Sequence, residues 1–264
     1  MNLTQVPYEE VYLMKECSWR NKTYLLISCI CFLTLWQFTA VILNNDIYLP
    51  RIEQVIAAIE NITNNKDFVL IILSSFLRAS LSYIIALILA VILGVLSVVC
   101  PFFQYMIKPL NSIIRTIPTL VLVVLTLVWF DKDMAPFIVG FAVVFPIIFE
   151  GIRNTIINFD GKIIDMVEIY EVSTKDKITK IYLPLIGYYI ANIFVSTFAL
   201  TFKVVIAGEV HGQPKYGIGS QVQLEKVNFN TPGIFAWIMI IMLISFIFVL
   251  INKILIRKVC RWTK

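Results

Sequence analysis

Charge is what this sequence has least of. Asp, Glu, Lys and Arg make up 15% of its 264 residues, where a soluble domain carries about 25%. With 59% hydrophobic residues, such a chain has too little polar surface to cover a water-soluble fold. Histidine is nearly missing too, His211 being the only one. A lone histidine cannot build a zinc centre, and apolar runs so poor in carboxylates hold no nucleophile–base constellation. No catalytic residue and no metal site are expected. The five cysteines, Cys17, Cys29, Cys31, Cys100 and Cys260, are odd in number, which argues against a disulfide framework. No segment reads G-x-x-x-x-G-K-[ST], so a phosphate-cradling loop of that kind is excluded. No internal repeat is visible either, which weakens a secondary-carrier reading built on paired halves.

What the chain has is long apolar runs. Crossing about 30 Å of hydrocarbon as a helix takes roughly 20 residues. Six spans are expected, at about 23–45, 79–100, 114–130, 134–150, 184–207 and 232–253. The third and fourth flank Asp131-Lys132-Asp133 and read as a helical hairpin with a charged tip. Residues 68–77 are a seventh apolar run, too short to cross. They read as an interfacial helix leading into the second span, with Arg78 near the water boundary. Pro101 and Pro109 read as helix breakers in the connection that follows that span. The fold class is an all-α membrane protein, a single transmembrane unit over 1–264.

Lysine and arginine placement orients the bundle. With the N-terminus in the cytoplasm, 15 of the 22 basic residues fall on inner segments. Both termini and the loop 151–183 are then cytoplasmic. The net charge of +5 follows from topology, and no nucleic-acid partner is implied. Glu9, Glu10 and Glu16 precede the first span, which is too long for a cleavable signal and is expected to stay as an anchor.

The loop 151–183 breaks the apolar pattern. Ile163, Ile164 and Val167 share one helical face, with Asp165, Glu168 and Glu171 on the others. Ile178, Ile181, Tyr182 and Leu185 recur at i, i+3, i+4, i+7, an amphipathic spacing. Two short helices at the inner ends of the bundle are expected. Other polar candidates lie at span ends. Glu150 and Arg153 suit an i, i+3 pair. Arg115 suits snorkelling at an inner boundary. Lys203 and Glu209 near the outer end of the fifth span either balance each other or face a path.

The loop residues also resemble a known signature. Permease subunits of binding-protein-dependent ABC importers carry Glu-Ala-Ala, three residues, Gly, nine residues, Ile, one residue, Leu-Pro. Ile181, Leu183 and Pro184 match its end, Asp165-Met166-Val167 fall at Glu-Ala-Ala, and Glu171 falls at Gly. Arg115-Thr116-Ile117-Pro118-Thr119 with the apolar run after it, and residues 202–210 with Gly217-Ile218-Gly219, resemble the nitrate/sulfonate/taurine branch.

The resemblance implies a type I importer permease with coupling helices between spans 4 and 5. Asp165, Met166, Val167, Glu168, Glu171, Ile181, Leu183 and Pro184 would meet a separate ABC ATPase subunit. ATP and Mg would be bound by that partner, with no cofactor in this chain. A second permease copy, forming a homodimer, and an extracytoplasmic solute-binding protein would complete the importer in the bacterial inner membrane. Arg115, Lys203 and Glu209 would line the path or outer gate. The cargo implied is a small anion such as nitrate, a sulfonate or taurine, or a thiamine-precursor-like compound. Because Glu171 replaces Gly, the turn is expected to shift toward Ser173-Thr174, or the two loop helices to merge. An ion-coupled carrier and a membrane-embedded enzyme are the competing classes.

Overall fold

The computed structural model describes the backbone of residues 8–259 and the side chains of 23–250, apart from those of Lys162, Ile164, Asp165 and Glu168. The side chains of Glu9, Glu10, Glu16, Cys17 and Cys260 lie outside the described residues. The described chain is helical throughout, with no strand. In order come α1 (Tyr8–Leu43), α2 (Ile52–Thr63), α3 (Phe68–Val99), α4 (Pro101–Thr116), α5 (Thr119–Trp129) and α6 (Ala135–Ile157). They are followed by α7 (Gly161–Ile169), α8 (Thr174–Lys177), a π-helical turn (Ile178–Tyr182), α9 (Leu183–Gly212), α10 (Ile218–Val227) and α11 (Thr231–Val259). Five helical stretches are long and apolar enough to cross a bilayer, and the bent pair α4–α5 supplies a sixth if it counts as one span.

Three details differ from the sequence expectation. Residues 68–77 are not a separate interfacial helix; they are the first turns of α3, which runs unbroken for 32 residues. Nothing in that stretch interrupts the hydrogen-bond ladder, and Arg78 is held by partners instead of marking a helix end. A separate short helix does precede α3, but it is α2, within residues that read as an outer loop. Second, Pro109 does not break a helix. It sits inside α4, and Pro101 occupies the first turn, where its missing N–H costs nothing. The break falls at Pro118. Ile117 before it is extended (φ −73°, ψ 127°), as the proline ring requires of its predecessor, and α4 and α5 meet at 106°. The expected span 114–130 is therefore split. Third, α6 continues to Ile157, and α8, the π turn and α9 form one unbroken helix from Thr174 to Gly212. The polar loop is shorter than 151–183.

The centre is α3, α6 and α9. Ala79, Ala86, Ala90 and Gly94 of α3 are all buried, a small-residue stripe that lets backbones approach without a hydrophobic drive from lipid. A Cβ on Gly94 would stand 2.8 Å from Ile152 Cγ2, so that crossing needs glycine. Tyr83 packs edge-on against Phe194 and Phe198 at 5.4 and 5.6 Å between ring centroids. Its hydroxyl lies 3.1 Å from Thr197 Oγ1, which satisfies both polar groups where no water reaches.

The chain's polar segments gather at two opposite ends. α4, α7, α8 and the π turn share one. There Ile107, Ile178 and Tyr182 pack into the cluster holding Ile152, Ile156 and Ile186. The α5–α6 connection, α2 and α10 share the other.

Candidate functional site

At the first end, α7 closes with a left-handed residue. Glu171 has φ 47°. The Tyr170 N–H donates to the Met166 carbonyl (3.0 Å) and the Val172 N–H to the Val167 carbonyl (3.1 Å). The second is the six-to-one bond of a Schellman cap, whose penultimate residue is usually glycine. The turn therefore stays at the position the signature gives to Gly. Neither the expected shift to Ser173-Thr174 nor the merged helix occurs. The helix end needs its orphan carbonyls satisfied, and that outweighs the cost of about 1–2 kcal/mol for a side chain in this conformation. Ser173 starts the next helix, its hydroxyl accepting from the Asp176 N–H at 3.2 Å. Asp176 in turn pairs with Lys180 at 2.7 Å.

The candidate residues divide by exposure. Val167 is buried, and its role is to anchor α7. Met166 is 52% exposed, and Ile169 and Tyr170 are 78% and 76% exposed. Asp165 and Glu168 lie in α7, with side chains outside the described residues. Ile181 is half-buried, while Leu183 and Pro184 are exposed on the first turn of α9. Pro184 has no N–H to give the Lys180 carbonyl. The preceding turn widens to π geometry, with the Leu183 N–H reaching back to Ile178. A π turn of this kind is frequent where a helix carries function. Sequence reading missed Ile169 and Tyr170. Two large apolar residues between Glu168 and Glu171 were the available signal.

Arg115 is exposed in the last turn of α4 at this same end, where a cation suits the helix dipole. Glu150 and Arg153 pair at 3.8 Å as the i, i+3 spacing predicts.

At the other end Glu209 is fully buried. Its Oε2 accepts from the Ser75 hydroxyl (2.7 Å) and the Gly219 N–H (3.0 Å), and its Oε1 from Arg78 Nη1 (3.0 Å). Ser75 Oγ accepts the Ile218 N–H at 2.8 Å. The first two free N–H groups of α10 are thus capped by α9 and α3, whose helices begin far from it in sequence. Arg78 also donates to the Tyr216 carbonyl (2.7 Å) and pairs with Asp133 (3.2 Å). One carboxylate therefore ties α3, α9, α10 and the α5–α6 connection together. Gly217 and Gly219 are required by close approach. A Cβ at Gly217 would meet the Glu209 carboxyl at 2.8 Å, and one at Gly219 would meet Glu209 Cβ and Val210 N at 2.7 Å.

The expectation that Lys203 and Glu209 balance each other is overturned. The partner of Glu209 is Arg78, and Lys203 is exposed on another side of α9. Six residues separate the two, which sets them well apart around the helix. Arg78 was legible as a lone cation between two apolar runs. It sits at this polar end, held between the buried Glu209 and the exposed Asp133 of the α5–α6 connection.

The family model described as a binding-protein-dependent transport system inner membrane component matches residues 86–261, about two thirds of the chain. The chain belongs to this family. No curated protein matches the sequence. The permease is accordingly a multi-pass membrane component of a transport system, and its family works with an ATPase and a solute-binding protein.

Proposed function

We propose that this permease forms half of the membrane pore of an ATP-driven importer, with α7 as the element that meets the ATPase. The observation that carries this is the head of α7. Met166, Ile169 and Tyr170 present apolar side chains at the polar end of the bundle. Burying such side chains against a partner contributes about 1.5–3 kcal/mol each. They sit on a helix that the buried Val167 anchors, beside an unbroken helix that runs from Thr174 to the Glu209 junction. Motion of the ATPase would be passed to the bundle as a rigid-body shift.

In this reading both termini and α7 face the cytoplasm, following the positive-inside bias. Two copies enclose the path. ATP and Mg belong to the ATPase, and a solute-binding protein delivers cargo to the α2–α10 end. Glu171, at the turn that ends α7, adds a negative charge beside the apolar head. The cargo is a small solute, of the nitrate, sulfonate, taurine or thiamine-precursor kind that the resembled branch carries. The Glu209 junction is the brace of the outer gate.

The test is co-purification of the ATPase subunit with full-length permease carrying Ile169→Glu or Tyr170→Glu. Both should abolish retention of the ATPase while membrane insertion stays normal. Undiminished retention would remove α7 as the docking element. Uptake into vesicles that requires ATP separates an importer from an ion-coupled carrier.

A further inference from the structure

α3 and α11 show what a lipid-facing side of this protein looks like. Every exposed residue of α3, from Val69 to Val99, is Val, Leu or Ile. The exposed residues of α11 between Ile238 and Leu250 are Ile, Met, Leu, Phe and Val. α9 is different. From Tyr188 to His211 its exposed residues are Tyr188, Asn192, Ser196, Lys203, Ala207 and His211. None is aliphatic beyond alanine, and at 100° per residue they fall in one stripe. Lys203 stands in its outer half, six residues or about 9 Å of rise inward from Glu209. No described carboxylate pairs with it. The nearest acid on its helix, Glu209, is buried and already bonded to Arg78, Ser75 and Gly219.

An unpaired ammonium at this depth is costly against hydrocarbon, and such residues face a cavity or the bundle interior. The exposed neighbours of Lys203 on the stripe, Ser196 and Ala207, carry none of the large aliphatic surface that α3 and α11 turn outward. We propose that this stripe lines the water-filled path and that Lys203 is the charge that selects anions in it. The proposal rests on the pore reading above and narrows the cargo to molecules carrying a carboxylate, sulfonate, nitrate or similar group. Asn192 and Ser196 give the path polar walls further in. Because no described carboxylate holds the lysine, it attracts an anion without a neutralised pair having to be broken first.

The experiment uses the full permease assembled with its ATPase subunit in lipid nanodiscs. Ser196→Cys is labelled with a membrane-impermeant anionic methanethiosulfonate and with its cationic counterpart. Site-resolved mass spectrometry separates that thiol from the native cysteines. Phe246→Cys on α11 is the lipid-face control. The Ser196→Cys thiol should react with both reagents and the control with neither. Residue 196 lies seven residues, about 10 Å, from Lys203. At that distance across water a unit charge changes the local concentration of each reagent about twofold, in opposite directions. Lys203→Gln should therefore lower the anionic-to-cationic rate ratio by about fourfold at low salt, and Lys203→Arg should preserve it. A Ser196→Cys thiol as inert as the control would overturn the conduit. A ratio unmoved by Lys203→Gln would overturn the selecting role. Both results leave ATPase docking through α7 intact. Failure of the unsubstituted permease to retain its ATPase would sink the importer reading and this proposal together.

Discussion

Glu209→Gln is the most discriminating single change available. The glutamine keeps the shape and removes the charge. Its carbonyl can still accept from Ser75 and Gly219, which leaves its NH2 facing Arg78 Nη1, donor against donor. Turned the other way, it leaves the buried Gly219 N–H without an acceptor. Either arrangement forfeits one charge-assisted bond, about 1.5–3 kcal/mol. Breaking a fully buried ion pair costs about 3–5 kcal/mol. Arg78 keeps some exposure and retains Asp133 and the Tyr216 carbonyl, so a value near the lower end, about 3 kcal/mol, is expected. At about 2–4 °C per kcal/mol for a chain of this size, the melting temperature should fall by roughly 6–12 °C. Thermal unfolding of the detergent-solubilised permease, followed by size-exclusion peak height, gives the number. Arg78→Met supplies the second arm of a double-mutant cycle, and the double variant should be less destabilised than the two singles added together. A shift below about 2 °C, or strict additivity, would refute the brace. Transport lost at unchanged melting temperature would place Glu209 in the path.

Two further substitutions test local claims. Glu171→Gly should keep the α7 turn and stabilise it by about 1 kcal/mol, because the left-handed conformation is free to glycine. Hydrogen exchange at Val172 would slow, and exchange faster than in the parent chain would count against the Schellman cap. Pro118→Ala should let α4 and α5 join over part of the population, since the residue before it is released from the extended region. Distances between spin labels on the two helices would lengthen, and an unchanged distribution would show that packing on α6 alone sets the bend.

The helical class was readable because it depends on local composition. Runs of Leu, Ile and Val longer than the hydrocarbon thickness leave few alternatives, since every backbone group must be satisfied within the helix. The motif spacing was equally local, and it put Glu171 at the turn. What failed was any judgement needing a partner distant in sequence. The partner of Arg78 was not read because its carboxylate lies 131 residues away, and Lys203 was assigned that carboxylate because it is six residues away. Pro109 and Pro118 look alike as letters. Pro109 sits in an amphipathic helix whose buried Ile107 and Asn111 hold it in place, while Pro118 meets no comparable support. The Glu171 turn was judged on the residue's own preference, and the chain's need to terminate α7 overrode it.

The unbroken helix from Thr174 to Gly212 has a mechanical consequence. Its 39 residues measure about 58 Å at 1.5 Å each. A rod of that length turns angle into distance: tilting it by about 5° about one extremity sweeps the far tip through roughly 5 Å. On the proposed reading, a small stroke at the polar loop would arrive at the opposite face as a full helical turn's worth of travel. The widened turn ahead of Pro184 is the one place along the rod where the stroke could be absorbed before it arrives.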